Sequence, residues 1–208
     1  MNASVASVSR RAIACLGVGL LCLTPPVTSR AQDPIAHEYR IKAAFLFNFT
    51  RFIDWPSGSF ADAASPIVIG VIGDDPFGAE LADVLKDRRV NGRPLVARTI
   101  HADEDARATH LLFVGVSEPE AVARLLQTLR SYPVTTVGES AEFAKEGGMI
   151  TFVIMNDKVR FEINADAAER AGIRISAHLE KLATVVRGVN HQKEVTCSRC
   201  VTSRSAGN

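Results

Sequence analysis

The stretch Gly147–Ile163, GGMITFVIMNDKVRFEI, is where the fold can first be worked out. Two glycines open an apolar run from Met149 to Met155. Asn156-Asp157 interrupts it, and Val159, Phe161 and Ile163 then alternate with Arg160 and Glu162. Two β-prone runs joined by a two-residue Asn-Asp link predict a β-hairpin. The alternation puts Arg160 and Glu162 together on the solvent face of their strand.

Upstream, Pro66–Gly78 (PIVIGVIGDDPFG) reads as a strand, Ile67–Ile72, apolar on both faces, that ends in a Gly-Asp-Asp-Pro turn and hands over to a helix at Phe77–Leu85. Val90–Pro94 (VNGRP) is a turn before a strand at Leu95–Ile100. A helical turn near Asp103–Arg107, a strand at His110–Val114, an amphipathic helix at Pro119–Leu129 and a strand at Val134–Val137 follow. Ser117 reads as the cap of the amphipathic helix, and Ser140 caps a short helix ending at Gly147-Gly148. After the hairpin, Asn164 caps one helix and Ser176 caps a last one through about Val186. Alternating strands and helices predict a single α/β domain over residues 32–187. Its sheet is mainly parallel and flanked by helices, with the C-terminal hairpin adding an antiparallel edge.

The first helix, Tyr39–Pro56 (YRIKAAFLFNFTRFIDWP), is apolar on most sides, which fits deep burial or a shared surface. Together with PIVIGVIGDDPFG, VNGRP and the hairpin, it makes the chain resemble the YfiR family of small exported bacterial proteins, from about Glu38 to about Val186. The resemblance implies a periplasmic negative regulator that binds the periplasmic sensor domain of an inner-membrane diguanylate cyclase. It also implies an OmpA-like outer-membrane lipoprotein as a second partner. Relatives carry cysteines inside the domain. This chain has none between Gln32 and Thr196, so redox control of the fold does not carry over.

The first residues have the order of a secretory signal: Arg10-Arg11, an apolar core Ala12–Leu23, then Ser29-Arg30-Ala31 with small residues placed for cleavage after Ala31. The core is short of the roughly 20 residues that span a bilayer. Removing residues 1–31 takes three Arg and no acid from 24 basic and 23 acidic residues, so the remainder is slightly acidic. That leaves no electrostatic footprint for nucleic acid. Residues 188–208 are polar and aperiodic and read as a disordered tail. The tail carries Cys197-Ser198-Arg199-Cys200, a pair suited to a disulfide in an oxidising compartment.

Candidate chemistry is sparse. Gly73-Asp74-Asp75 lacks the spacing of a nucleotide loop, and two carboxylates there would repel phosphate. A cap for the following helix is the better role. His37, His101, His110, His178 and His191 lack metal-ligand spacing, and Ser117 and Ser140 lack a nucleophile elbow. No catalytic residue, metal site or cofactor is therefore expected, and the chain reads as a binding protein. The expected ligand or partner site is Arg174, Ser176, His178 and Lys181 at the start of the last helix, with Asn48 and Arg51 from the first helix. Phe45, Phe47, Phe49 and Trp55 are expected at an interface, with a homodimer as its simplest form. The competing class is a periplasmic small-molecule sensor coupled to a histidine kinase or an outer-membrane transport system.

Overall fold

A computed structural model describes residues 34–188. The expected signal segment and the Cys197–Cys200 pair lie outside the described residues. Five parallel strands form the centre of the sheet: β2 (Ile67–Gly73), β4 (Arg93–Ile100), β5 (Leu111–Gly115), β6 (Thr135–Gly138) and β7 (Ile150–Met155). Their spatial order is β4-β2-β5-β6-β7, with the reversal of winding falling between β2 and β5. Helices lie on both faces, as the alternation of elements predicts. Strand residues alternate between two cores. Ile69, Val71, Phe113, Val137, Ile150 and Phe152 face one, while Ile72, Leu112 and Val114 face the other.

The second core is closed by α3 (Asp103–Ala106), α4 (Pro119–Leu129) and α5 (Ala141–Lys145). The apolar stripe Val122, Leu125, Leu126 and Leu129 that marks α4 in the sequence is its buried face. The larger core is closed by α1 (Pro34–Phe52), α2 (Ala79–Leu85), α6 (Ala165–Arg170) and α7 (Ala177–Leu182).

The hairpin forms as the sequence predicts. β7 pairs antiparallel with β8 (Lys158–Asn164), and Asn156 and Asp157 take φ of 51° and 56°, the conformation of a tight hairpin turn. It is not the edge of the sheet, however. The last helix stops at Leu182 rather than near Val186, and β10 (Val185–Arg187) adds parallel to β8. Val185 and Val186 are β-branched, and the free edge of β8 offers them a ladder that outweighs another helical turn. A second hairpin hides in the VNGRP turn. Arg89–Val90 (β3) pairs with Arg93-Pro94 around Asn91-Gly92, both at positive φ, and makes the opposite edge. Ser140, Asn164 and Ser176 cap their helices through side-chain oxygens, whereas Ser117 does not cap α4, which starts after Glu118 without a side-chain cap.

α1 ends at Phe52, short of Pro56, and Ile53–Asp54 (β1) pairs with Arg174–Ile175 (β9) in a separate two-stranded ribbon. The helix is held across the sheet by rings. Phe49 is fully buried, 5.0 Å from the Phe161 ring and 5.8 Å from that of Phe152. Phe45 lies 5.6 Å from Phe161. Expected as interface, Phe49 is instead core, because the hairpin surrounds it within the protomer. A Phe49→Ala variant should lose about 3–5 kcal/mol in urea unfolding, the range for deleting a buried ring. A loss under about 1 kcal/mol would show that α1 docks without it.

Candidate functional site

An open α/β sheet offers a crevice beyond the carboxyl ends of its strands, at the reversal of winding. Here that place is shut. The Asp74 amide donates to the Gly115 carbonyl at 3.2 Å. A Cβ on Gly115 would lie 2.0 Å from the Asp74 oxygen, and one on Gly73 would lie 2.8 Å from the Gly115 carbonyl carbon. Asp75 accepts from the amides of Phe77 and Gly78, so it closes the turn just before α2 rather than facing a ligand. The Gly-Asp-Asp turn holds two backbones in contact. Gly115→Ala must push them apart, and a fall in unfolding free energy of at least the roughly 1–3 kcal/mol of overpacking is expected by calorimetry. An unchanged melting temperature would mean that the loops part freely.

Beside this edge, Lys42 of α1 is almost completely buried between Glu38 and Glu139, and its ammonium lies 4.3 Å from the Tyr39 ring centroid. The Tyr39 hydroxyl donates to Glu139 at 2.9 Å. Burial and that carboxylate push its pKa up to about 12. Every member has a partner, so the cluster ties α1 to the end of β6 and leaves no free acid or base.

The expected ligand corner is assembled by the β1–β9 ribbon. The Ser176 amide donates to the Phe52 carbonyl at 2.9 Å, which joins the end of α1 to the start of α7. The His178 ring lies 5.1 Å from that of Phe52, and the Arg51 guanidinium lies 5.8 Å from the same ring. Arg174 sits opposite Asp54 in the ribbon with an ion contact at 4.0 Å. Both side chains are mostly exposed, so this pair contributes little to stability. Lys181 is exposed one turn after His178, and Asn48 is half-buried one turn before Phe52. The ribbon therefore brings the Arg174–Ser176 segment and the His178 ring to the end of α1.

Two features of the structure differ from the sequence reading. α7 has six residues, and the Ser176 oxygens already take the amides of Leu179 and Glu180, so the helix end adds little attraction for an anion. The positive charge at the corner comes from side chains instead. Sequence reasoning also missed Arg88, whose guanidinium lies 4.4 Å from the Phe47 ring centroid. The signal was the Arg88-Arg89 doublet after α2. Asp87, in the left-handed region at φ 58°, turns the chain there.

Of the other expected interface residues, Phe47 and Phe45 are half-buried. Trp55 is packed against the core, with Nε1 donating to the His110 carbonyl at 2.8 Å. Phe45 and Ile41 face Ile154 and Val159 across an open groove of about 640 Å³ between α1 and the hairpin tip, with His37, Glu38, Asp157 and Lys158 at its rim. Ile154 and Met155 are exposed beside it. Among the described residues no group of three or more His, Cys, Asp or Glu is placed to hold a metal ion.

The sequence matches the YfiR/HmsC-like family over residues 39–184, most of the chain. The chain belongs to that family. YfiR-like proteins are regulators of diguanylate cyclase in the periplasm. None of the described helices is long and apolar enough to cross a membrane. Two solved structures are similar at a distance. A conserved domain protein from Vibrio cholerae O1 biovar eltor is 15% identical, with 58% of this chain and 55% of that one covered and a TM-score of 0.40. An ABC domain in complex with L-Trp from Streptococcus pneumonia is 12% identical, with the same coverage and a TM-score of 0.41. The chain thus spans about half the length of each.

Proposed function

We propose that this YfiR-like protein is exported with cleavage after Ala31 and represses a membrane-bound diguanylate cyclase by binding its periplasmic sensor domain. An OmpA-like outer-membrane lipoprotein would relieve repression by sequestering it. The observation that carries this reading is the corner itself: Arg51 and the His178 ring beside Phe52, with Arg174 exposed in the adjoining ribbon and Lys181 one turn after His178. Arginine and aromatic side chains dominate the energetics of protein interfaces. Repression requires differential affinity. Moving a partner from almost wholly active to almost wholly silent takes a preference of about 10⁴-fold, or roughly 5.5 kcal/mol, for the silent state. About three anchors of roughly 2 kcal/mol each, made only with the silent state, supply that.

Arg174→Ala and His178→Ala should each weaken binding of the purified sensor domain by about tenfold or more, and raise cyclic di-GMP in cells. Both side chains are exposed, so unfolding free energy should stay within about 0.5 kcal/mol. Full repression by both variants, with loss of repression in Asp74→Ala and Asp75→Ala, would move the site to the strand-end turn.

Self-association is proposed through the α1–hairpin groove. Its apolar floor and the exposed Ile154 and Met155 support a homodimer. Light scattering should give a dimer mass at micromolar concentration and a monomer for Ile154→Lys. A monomeric native protein at high micromolar concentration would remove the homodimer.

A further inference from the structure

Residues 57–66 connect the β1–β9 ribbon to β2, and an imidazole and a guanidinium tie them to the sheet. His110, just before β5, is 7% exposed. Its backbone is fixed on three sides. The amide donates to the Val68 carbonyl at 2.9 Å, and the carbonyl accepts from the Thr135 amide at 2.9 Å and from Trp55 Nε1 at 2.8 Å. Its ring bridges two backbones. Nδ1 accepts from the Val68 amide at 3.1 Å, and Nε2 lies 3.0 Å from the Ser59 carbonyl. An amide only donates and a carbonyl only accepts, so the ring is the neutral tautomer with its proton on Nε2.

Stacking completes the arrangement. Phe60 lies 4.4 Å from His110 at an interplanar angle of 18°, and Trp55 meets it edge-on at 5.9 Å. On the Phe60 ring lies Arg93 of β4, at 3.8 Å, donating to the carbonyls of Asp62 and Ser65. Among charged groups around His110, Arg93 comes from β4 and Asp62 from the connecting segment. The Asp62 carboxylate is taken by the amides of Ala64 and Ser65. β2 presents the Val68 backbone, and the residue before Pro56 is Trp55, so neither adds a charge.

We propose that His110 is an acid-operated latch: protonation at Nδ1 sets two N–H donors against each other, breaks the bond to the Val68 amide, and turns the imidazole away from β2 with the Ser59 carbonyl it still holds, which shifts the Phe60 and Trp55 rings packed on it while Arg93 and the core stay in place. Burial holds the pKa of His110 below the ordinary histidine value. The positive charge of Arg93 adds to this and the Ser59 carbonyl opposes it. The direction of the pH effect follows. The folded state takes up the proton less readily than the unfolded one, so the stability held by the latch is complete above about pH 6.5 and falls as pH drops below it. Trp55 is followed by Pro56 and preceded by β1, so a shift of its ring against the imidazole acts on the ribbon that assembles the ligand corner. That consequence for repression rests on the function proposed above. The latch does not.

Trp55 is the single tryptophan of the chain, so its emission reports on the latch directly. The test follows Trp55 emission and far-ultraviolet circular dichroism of the signal-free protein from about pH 7.5 to about pH 5 at constant ionic strength. The His110 Cε1–H resonance is recorded in parallel. A one-proton emission change with a midpoint below about pH 6.5, matching the His110 titration, with circular dichroism unchanged and the change lost in His110→Gln, establishes the latch. Emission that is flat over this range, a transition that persists in His110→Gln, or loss of circular dichroism at the same midpoint overturns it. Should His110→Gln fail to fold, agreement or disagreement between the resonance and the emission midpoint in the native protein decides alone. Binding of the sensor domain at the two ends of the range then tests repression separately, so a pH-independent affinity would sever the function and leave the latch standing.

Discussion

The ring of Phe49, enclosed by Phe152 and Phe161, joins the beginning of the domain to its end. α1 precedes every strand of the main sheet, and the hairpin is among the last pieces to enter it. Their contact therefore closes one of the longest loops among the described residues. Loop closure carries an entropic cost that grows slowly with length, and a few large buried rings offset it where scattered aliphatic contacts would offset less. Phe45 widens the contact, and the charged cluster at Lys42 fixes how far along the sheet the helix lies. With α1 placed, Phe52 is placed too, and with it the carbonyl that receives Ser176. The position of the candidate corner thus depends on a core contact that does not touch it.

The closed crevice at the winding reversal removes the place where such a sheet usually holds a ligand. In an open sheet, two loops diverging from β2 and β5 would leave room for a ligand. Gly73 and Gly115 instead let backbone meet backbone, and the Asp74 amide spends its hydrogen bond on Gly115. The chain keeps the architecture of a ligand-binding sheet while closing the place where ligands usually sit. Accessible surface remains at the joint of α1 and α7 and in the open groove between α1 and the hairpin tip, and neither is a small enclosed site.

Where sequence reading succeeded, local and tertiary signals agreed. The Asn-Asp turn, the α4 stripe and the caps at Ser140, Asn164 and Ser176 each rest on rules that act within a few residues. It failed where a distant partner decided. Val185-Val186 could extend a helix, but the unpaired edge of β8, more than twenty residues back, turns them into a strand. Phe49 could have faced outward or inward, and only the arrival of the hairpin rings settles which. Arg88 could not be placed on α1 because nothing in its neighbourhood shows that it packs over the Phe47 ring. His110 read as one of several histidines without ligand spacing. Its importance comes from backbone partners at Ser59 and Val68, which spacing does not reveal.

The division of labour between buried and exposed polar groups has a consequence for regulation. At the corner, Arg51, Arg174 and Lys181 are exposed, and the Arg174–Asp54 contact is long and solvated, so these charges can be committed to a partner without loss to the fold. Lys42 and His110 are the reverse: their hydrogen bonds are part of the fold, and a change of charge on either is felt as a change of structure. The two kinds of site meet at β1. Ile53–Asp54 carries the corner on one side and leads through Trp55 to His110 on the other. A disturbance at the imidazole therefore reaches the corner through two residues of ribbon, a distance short enough for a local opening to move it without unfolding the sheet.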